Sequence, residues 1–158
     1  MLFRSLPLRM LCADAGATAL ARRDQPSLAP FLASLADHRR LQEVESIQPA
    51  DGGEVPLLVL VGPSPADYDL VEAVCTAHRG GVVSLNPSLE DAAVGIGSVA
   101  RARRKGFLAQ WQTAYTLQPF PTSALRKAHP GDWELYRLDP EGFRLAARFP
   151  QKPSTEEQ

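Results

Sequence analysis

At 158 residues the chain is sized for a single domain, and about a quarter of its residues are Leu, Ile, Val or Phe, enough to build a core. The formal net charge of -1 excludes a molecule-wide field that would gather nucleic acid or an anionic membrane, so electrostatic recognition must be local. Cys12 and Cys75 lie far apart with no disulfide-scaffold or metal-ligand spacing, which fits a reducing compartment, and no apolar run approaches the ~18–20 residues that span a bilayer.

Residues 1–9 carry arginines and no acids, as an organelle-targeting segment does, but they run straight into a short apolar stretch, Leu8 to Ala13. That stretch predicts a strand, and Asp14 is placed to cap a helix from Ala15 to Arg23. In Ser27–Arg40, residues Leu28, Phe31, Leu32 and Leu35 recur at helical spacing, so a second helix is expected. Leu41 to Ile47 has a poor period that suits at most an edge strand, and Pro49 to Gly53 reads as a loop.

Leu57 to Val61 is a continuous apolar run, expected for a central parallel strand covered on both faces. Ser64 and Asp67 approximate a capping box with Pro65 at the first helical position, and Leu70, Val71, Val74, Cys75 and His78 continue at helical spacing. Gly80-Gly81 ends that helix before a strand from Val82 to Leu85, completing a βαβ unit with a right-handed crossover. Ser88 to Gly97 reads as a loop before a helix from Ser98 to Gln110.

Thr113 to Leu117 predicts a strand, and Pro119, Pro121, Pro130 and Gly131 mark an irregular connection. Trp133–Leu138 and Phe143–Phe149 flank Asp139-Pro140-Glu141-Gly142 as a hairpin. The expected architecture is a three-layer α/β domain over residues 1–149, with a mostly parallel sheet, a C-terminal antiparallel hairpin, and an unstructured tail from 150 to 158.

Catalytic signals are absent from the pattern. Leu11 to Thr18 approaches the strand-end motif of aspartate-nucleophile phosphatases, but position 16 is Gly where a second carboxylate would move the proton. Gly95-Ile96-Gly97 lacks the third glycine of a dinucleotide fingerprint, and Gly62-Pro63-Ser64-Pro65 has no P-loop lysine. His38, His78 and His129 have no triad or metal spacing; Cys75 and His78 are three apart on one helix, so a thiolate–imidazolium pair is one reading and a packed thiol beside a helix-terminal histidine the other. No catalytic residue, cofactor or metal site is expected.

Two local surfaces remain. Arg101, Arg103, Arg104 and Lys105 spread around the helix beginning near Ser98, so some must contact neighbours, with Glu90 and Asp91 the expected partners and an acidic protein or anionic surface the functional alternative. In an open α/β sheet, ligands bind outside the carboxyl ends of the strands. Asp14, Ser64 and Asn86 each follow a predicted strand, so together they could hold a small molecule or nucleotide phosphate; alternatively, they are only caps and a turn.

The block Val82 to Asp91, with its Asn86-Pro87-Ser88-Leu89-Glu90-Asp91, then Val94 to Gly97, the basic helix through Phe107-Leu108, Tyr115 to Pro119, and His129-Pro130-Gly131-Asp132-Trp133-Glu134-Leu135 resemble an uncharacterised domain family of cyanobacteria and chloroplasts. That family includes chloroplast proteins of the Low PSII Accumulation type and the C-terminal extension of a chloroplast adenylate kinase. Asp14-Ala15-Gly16 and Ala19 to Asp24 are similar to its first strand–helix segment, so the resemblance spans roughly residues 8–149. The chain departs from the pattern at its start, where Met1 stands almost on the first strand and a further family helix would precede it.

The resemblance implies a non-enzymatic auxiliary factor in photosystem II biogenesis that binds protein. It would be cytoplasmic in a cyanobacterium or stromal in a chloroplast, and peripheral to the thylakoid. The contact surface expected on this reading is the loop with Asn86, Glu90 and Asp91 together with Arg101, Arg103, Arg104 and Lys105.

Overall fold

The computed structural model describes residues 7–44, 55–89 and 97–153, and of Val44 and Arg104 the backbone only. The chain divides into two compact units, Met1–Ala109 and Gln110–Gln158.

In the first unit the apolar runs form the parallel strands β1 (Leu8–Cys12), β2 (Leu32–Ser34), β3 (Leu57–Val61) and β4 (Val82–Leu85), in the order β2-β1-β3-β4. The helices between them are α1 (Ala15–Asp24), α2 (Leu35–Val44) and α3 (Tyr68–Ala77), followed by α4 (Ser98–Lys105). Right-handed crossovers in this strand order put α1 on one face of the sheet and α2 and α3 together on the other. The result is the three-layer α/β arrangement expected. Leu11, Leu58 and Leu60 are almost wholly buried, as are Leu35, Val71 and Val74. Each such side chain contributes about 1.5–3 kcal/mol by leaving water.

Asp14 caps α1, its Oδ1 accepting from the Ala17 N–H at 2.7 Å. The Ser27–Arg40 segment is not one helix: a 3-10 turn at Pro26–Phe31 leads into β2, and α2 starts only at Leu35. Pairing with β1 (Met10 with Leu32, Cys12 with Ser34) overrides the local helical spacing. The Arg22 guanidinium fixes the strand by donating to the Leu32 carbonyl at 2.7 Å. Leu41 to Val44, expected as part of an edge strand, is the last turn of α2, while residues 45–54 lie outside the described residues.

β3 is central between β1 and β4, as its unbroken apolar run requires. The Ser64 N–H donates to Asp67 Oδ2 at 2.8 Å, opening a 3-10 turn that leads into α3. At the other end of α3, a Cβ on Gly80 would stand 2.6 Å from His78 Nε2 and 3.0 Å from the Pro56 carbonyl oxygen, so glycine there makes room for the bond between them. The expected helix from Ser98 to Gln110 stops at Lys105, where Gly106 donates to the Ala102 carbonyl and a short 3-10 turn follows at Leu108–Gln110.

The second unit is an antiparallel meander of β5 (Tyr115–Pro119), β6 (Ser123–Ala128), β7 (Trp133–Asp139) and β8 (Gly142–Phe149), in sequence order. The expected β7–β8 hairpin is present, with Gly142 at φ +121° closing its turn. The connection expected to be irregular between Pro119 and Gly131 contains β6. Leu125, Trp133 and Leu135 form the core of this unit, with Phe120, Ala147 and Phe149 packed against them. Within the segment expected as a tail, the Lys152 ammonium lies over the Trp133 ring and Pro153 is buried.

Candidate functional site

Strand order reverses between β1 and β3, and there the carboxyl edge of a parallel sheet forms its crevice. Asp14 follows β1, Ser64 follows β3 and Asn86 follows β4, so the fold brings all three to one edge. The Gly62 N–H donates to the Leu85 carbonyl at 2.9 Å and the Ser88 N–H to the Pro63 carbonyl at 3.0 Å, tying the last two turns together. Asn86 has φ 47°, a left-handed conformation that asparagine tolerates better than most residues.

The polar groups at this edge are engaged locally. Asp14 caps α1, and the Ser64 hydroxyl donates to Asp67 Oδ2 at 2.7 Å. A phosphate needs free N–H groups at a helix start, yet here the carboxylate of Asp14 stands at α1 and that of Asp67 at the turn leading into α3. Two negative charges where an anion would sit weigh against a nucleotide-phosphate site.

The basic helix α4 divides its residues by role. Arg103 reaches back to α3: its guanidinium lies 4.3 Å from the centroid of Tyr68 and donates to Asp69 Oδ1 at 2.8 Å. Phe107 meets Tyr68 edge to face at 5.9 Å. Together with Glu72, Val99 and Ala102, Tyr68, Asp69 and Arg103 line a shallow hollow between α3 and α4 of about 280 Å³. Burial, followed by the charge of Glu72, pushes the Tyr68 phenol up, so it stays neutral; its hydroxyl is buried with no hydrogen-bond partner among the described residues.

Arg101 and Lys105, one turn apart, are exposed and make no ion pair among the described residues, while Val99, 65% exposed, lies on the Arg103 side of the helix. Glu90 and Asp91, the expected internal partners, lie outside the described residues, as does the Arg104 side chain. Asp69, the partner Arg103 takes instead, comes from 34 residues earlier, and no local spacing signals it.

The Cys75–His78 pair is not a reactive couple. Burial pushes the Cys75 thiol up to about 11 and pushes His78 down, while His78 Nε2 is held 3.0 Å from the Pro56 carbonyl oxygen. His38 is 6% exposed, and burial, reinforced by the nearby charges of Arg9 and His78, pushes it down to about 4. Its Nδ1 lies 3.4 Å from Arg9 Nη1 and its Nε2 is buried without a partner among the described residues, an arrangement that keeps a packed imidazole neutral.

The second unit holds a polar constellation not singled out from the sequence. Glu134 Oε2 accepts from Arg126 at 2.7 Å and from the Tyr136 hydroxyl at 2.9 Å, while Oε1 accepts from Arg148 at 3.3 Å. The Tyr136 and Arg126 hydrogen bonds, in that order, hold the Glu134 carboxyl below its ordinary range. Register places Arg126, Glu134 and Arg148 in one cross-strand row. Each charge is answered across the sheet, as a fold-stabilising network requires.

Among the described residues no group of His, Cys, Asp or Glu could hold a metal ion, and no helix is long and apolar enough to cross a membrane. No curated protein and no solved structure matches the chain. The model of one protein family, DUF1995, a domain of unknown function, matches residues 3–158. The chain therefore belongs to the DUF1995 family.

Proposed function

We propose that this DUF1995 domain is a non-enzymatic assembly factor that binds a protein partner through the exposed side of α4. The observation that supports this reading is the division of labour on the helix. Arg103 is taken up by Tyr68 and Asp69, whereas Arg101 and Lys105 stand exposed on another side of the helix. Two exposed cations one turn apart suit an acidic protein surface, which they would recognise and orient. The loop starting at Asn86 is the second part of the proposed contact. The resemblance of the Asn-Pro-x-Leu-Glu-Asp and Pro-Gly-x-Trp-Glu blocks to Low PSII Accumulation type proteins, and to the extension of a chloroplast adenylate kinase, supplies the setting. On this reading the partners are photosystem II assembly intermediates, met at the cytoplasmic or stromal side of the thylakoid.

The test is a pull-down of the tagged protein from gently solubilised photosynthetic membranes, with bound proteins identified by mass spectrometry. Wild type should enrich photosystem II subunits, and the pair Arg101→Glu and Lys105→Glu should lose them while circular dichroism stays unchanged. An empty wild-type eluate, or capture that survives in the folded variant, rejects the proposal. Arg103 is left intact because reversing it would disturb the fold as well as the surface.

A further inference from the structure

The two edges of the antiparallel sheet are built differently. β8 carries Arg144 and Arg148, and its register with β7 shifts between Leu135 and Tyr136; charges and irregularities are the devices by which sheets refuse further strands. β5, Tyr-Thr-Leu-Gln-Pro, has no charged residue, and Tyr115 and Leu117 are 64% and 56% exposed. In the parallel sheet the edge strands β2 and β4 are shorter, at three and four residues.

The hydrogen-bonding direction of β5 follows from its ends. The Phe120 N–H donates to the Ser123 carbonyl and the His129 N–H to the Ala114 carbonyl, both at 2.8 Å. Along an antiparallel ladder, bonded and non-bonded pairs alternate, so Thr116 and Gln118 turn their N–H and C=O groups toward β6. Tyr115 and Leu117 turn theirs outward. Pro119 falls in the same outward set, where its missing N–H costs the β5–β6 ladder nothing.

We propose that β5 pairs with β5 of a second copy of this chain, antiparallel and twofold symmetric about Leu117, joining two four-stranded sheets into one of eight. In that register each Leu117 N–H donates to the Leu117 carbonyl of the other copy, and each Tyr115 N–H to the opposite Pro119 carbonyl. Thr116 lies opposite Gln118, and no like charges meet. A second copy is the fitting occupant because this edge is self-complementary and uncharged, with nothing on it to select a charged foreign strand. The net charge of -1 also leaves little long-range repulsion between copies.

Sedimentation velocity of the full chain, from low to high micromolar concentration, tests the pairing. Wild type should show a concentration-dependent dimer. Leu117→Lys sets two ammonium groups against each other at the twofold axis and should raise the dimer dissociation constant roughly tenfold or more. Leu145→Lys, on the opposite edge strand, should dimerise as wild type does. In a hydrogen-bonded pair the Cα atoms are about 5.5 Å apart, within disulfide reach, so Leu117→Cys treated with glutathione disulfide should run as a covalent dimer on a non-reducing gel while Leu138→Cys does not. A wild type that stays monomeric throughout overturns the proposal. So does a dimer that Leu117→Lys leaves intact, one that Leu145→Lys weakens equally, or a Leu117→Cys protein that does not cross-link.

Discussion

The guanidinium of Arg103 lies over the ring of Tyr68, 4.3 Å from its centroid, and joins α4 to α3. The Asp69 carboxylate on the other side of this contact is largely exposed, so the ion pair adds little, and the stacking on a buried ring carries more. Arg103→Ala should therefore destabilise the protein by about 1 kcal/mol, and Arg103→Lys, which keeps the charge but loses the flat stack, by nearly as much. Arg101→Ala, one of the exposed pair, should stay within about 0.5 kcal/mol of wild type. Urea titrations of the three variants check this, and equal costs at positions 101 and 103 would remove the distinction between them.

His38 links stability to pH. Its folded-state value is lowered to about 4 from 6.5, so between those values the unfolded chain binds a proton that the folded chain excludes. Stability is full above pH 6.5 and falls as the pH drops toward 4, by up to about 3 kcal/mol from this residue. His78, also lowered, acts in the same direction. Denaturant midpoints across that range should decline in wild type and decline less in His38→Asn. Parallel curves for the two proteins would show that His38 is not the group responsible.

Much of the fold was legible because long apolar runs and caps are local signals. Leu57 to Val61 announced a central strand, and Asp14, Ser64 and Asp67 announced helix starts that the structure contains. β2 was not legible: three residues cannot show a period, and their strand state comes from pairing with β1, some twenty positions earlier in the chain. β6 was hidden by its own charges. Arg126 is answered by Glu134 and Lys127 lies over Trp133, so a segment that reads locally as solvated is half-buried in a sheet. The same non-locality applies to the site, since Arg103 finds Asp69 from a helix far upstream. Glu134 and Tyr136, two apart on a predicted strand, were the one visible trace of the network in the second unit.

That network makes a second pH prediction, in the same direction as that of His38 but at lower pH. Glu134 is held below its ordinary value by Tyr136 and Arg126, so its contribution is present above pH 4.5 and is lost as the pH falls through the lowered folded value. Glu134→Gln keeps the shape but surrenders the charge, leaving Arg126 and Arg148 in one row without a carboxylate. The variant should be less stable than wild type at neutral pH, with the gap closing in acid as the wild-type carboxyl takes up its proton. Trp133, adjacent in sequence and in the core of this unit, provides the fluorescence readout. A gap that is independent of pH would mean that shape, not charge, holds the row together.

The cysteines offer a test of whether any nucleophile is poised in the first unit. Cys12 is buried, and the Cys75 thiol is pushed from 9.0 up to about 11 by burial. Two pH units leave Cys75 with roughly one hundredth of the thiolate of a thiol at the ordinary value, and thiolate is the reacting form. Both thiols should react slowly with Ellman's reagent at neutral pH and both should react fully in urea. His78→Ala should not slow Cys75 further, because the imidazole is held at the Pro56 carbonyl oxygen and, pushed down by burial, carries no charge at neutral pH to stabilise a thiolate. If Cys75 instead reacts rapidly in the folded protein and His78→Ala abolishes that reactivity, the two residues form an activated pair and the domain has a nucleophile.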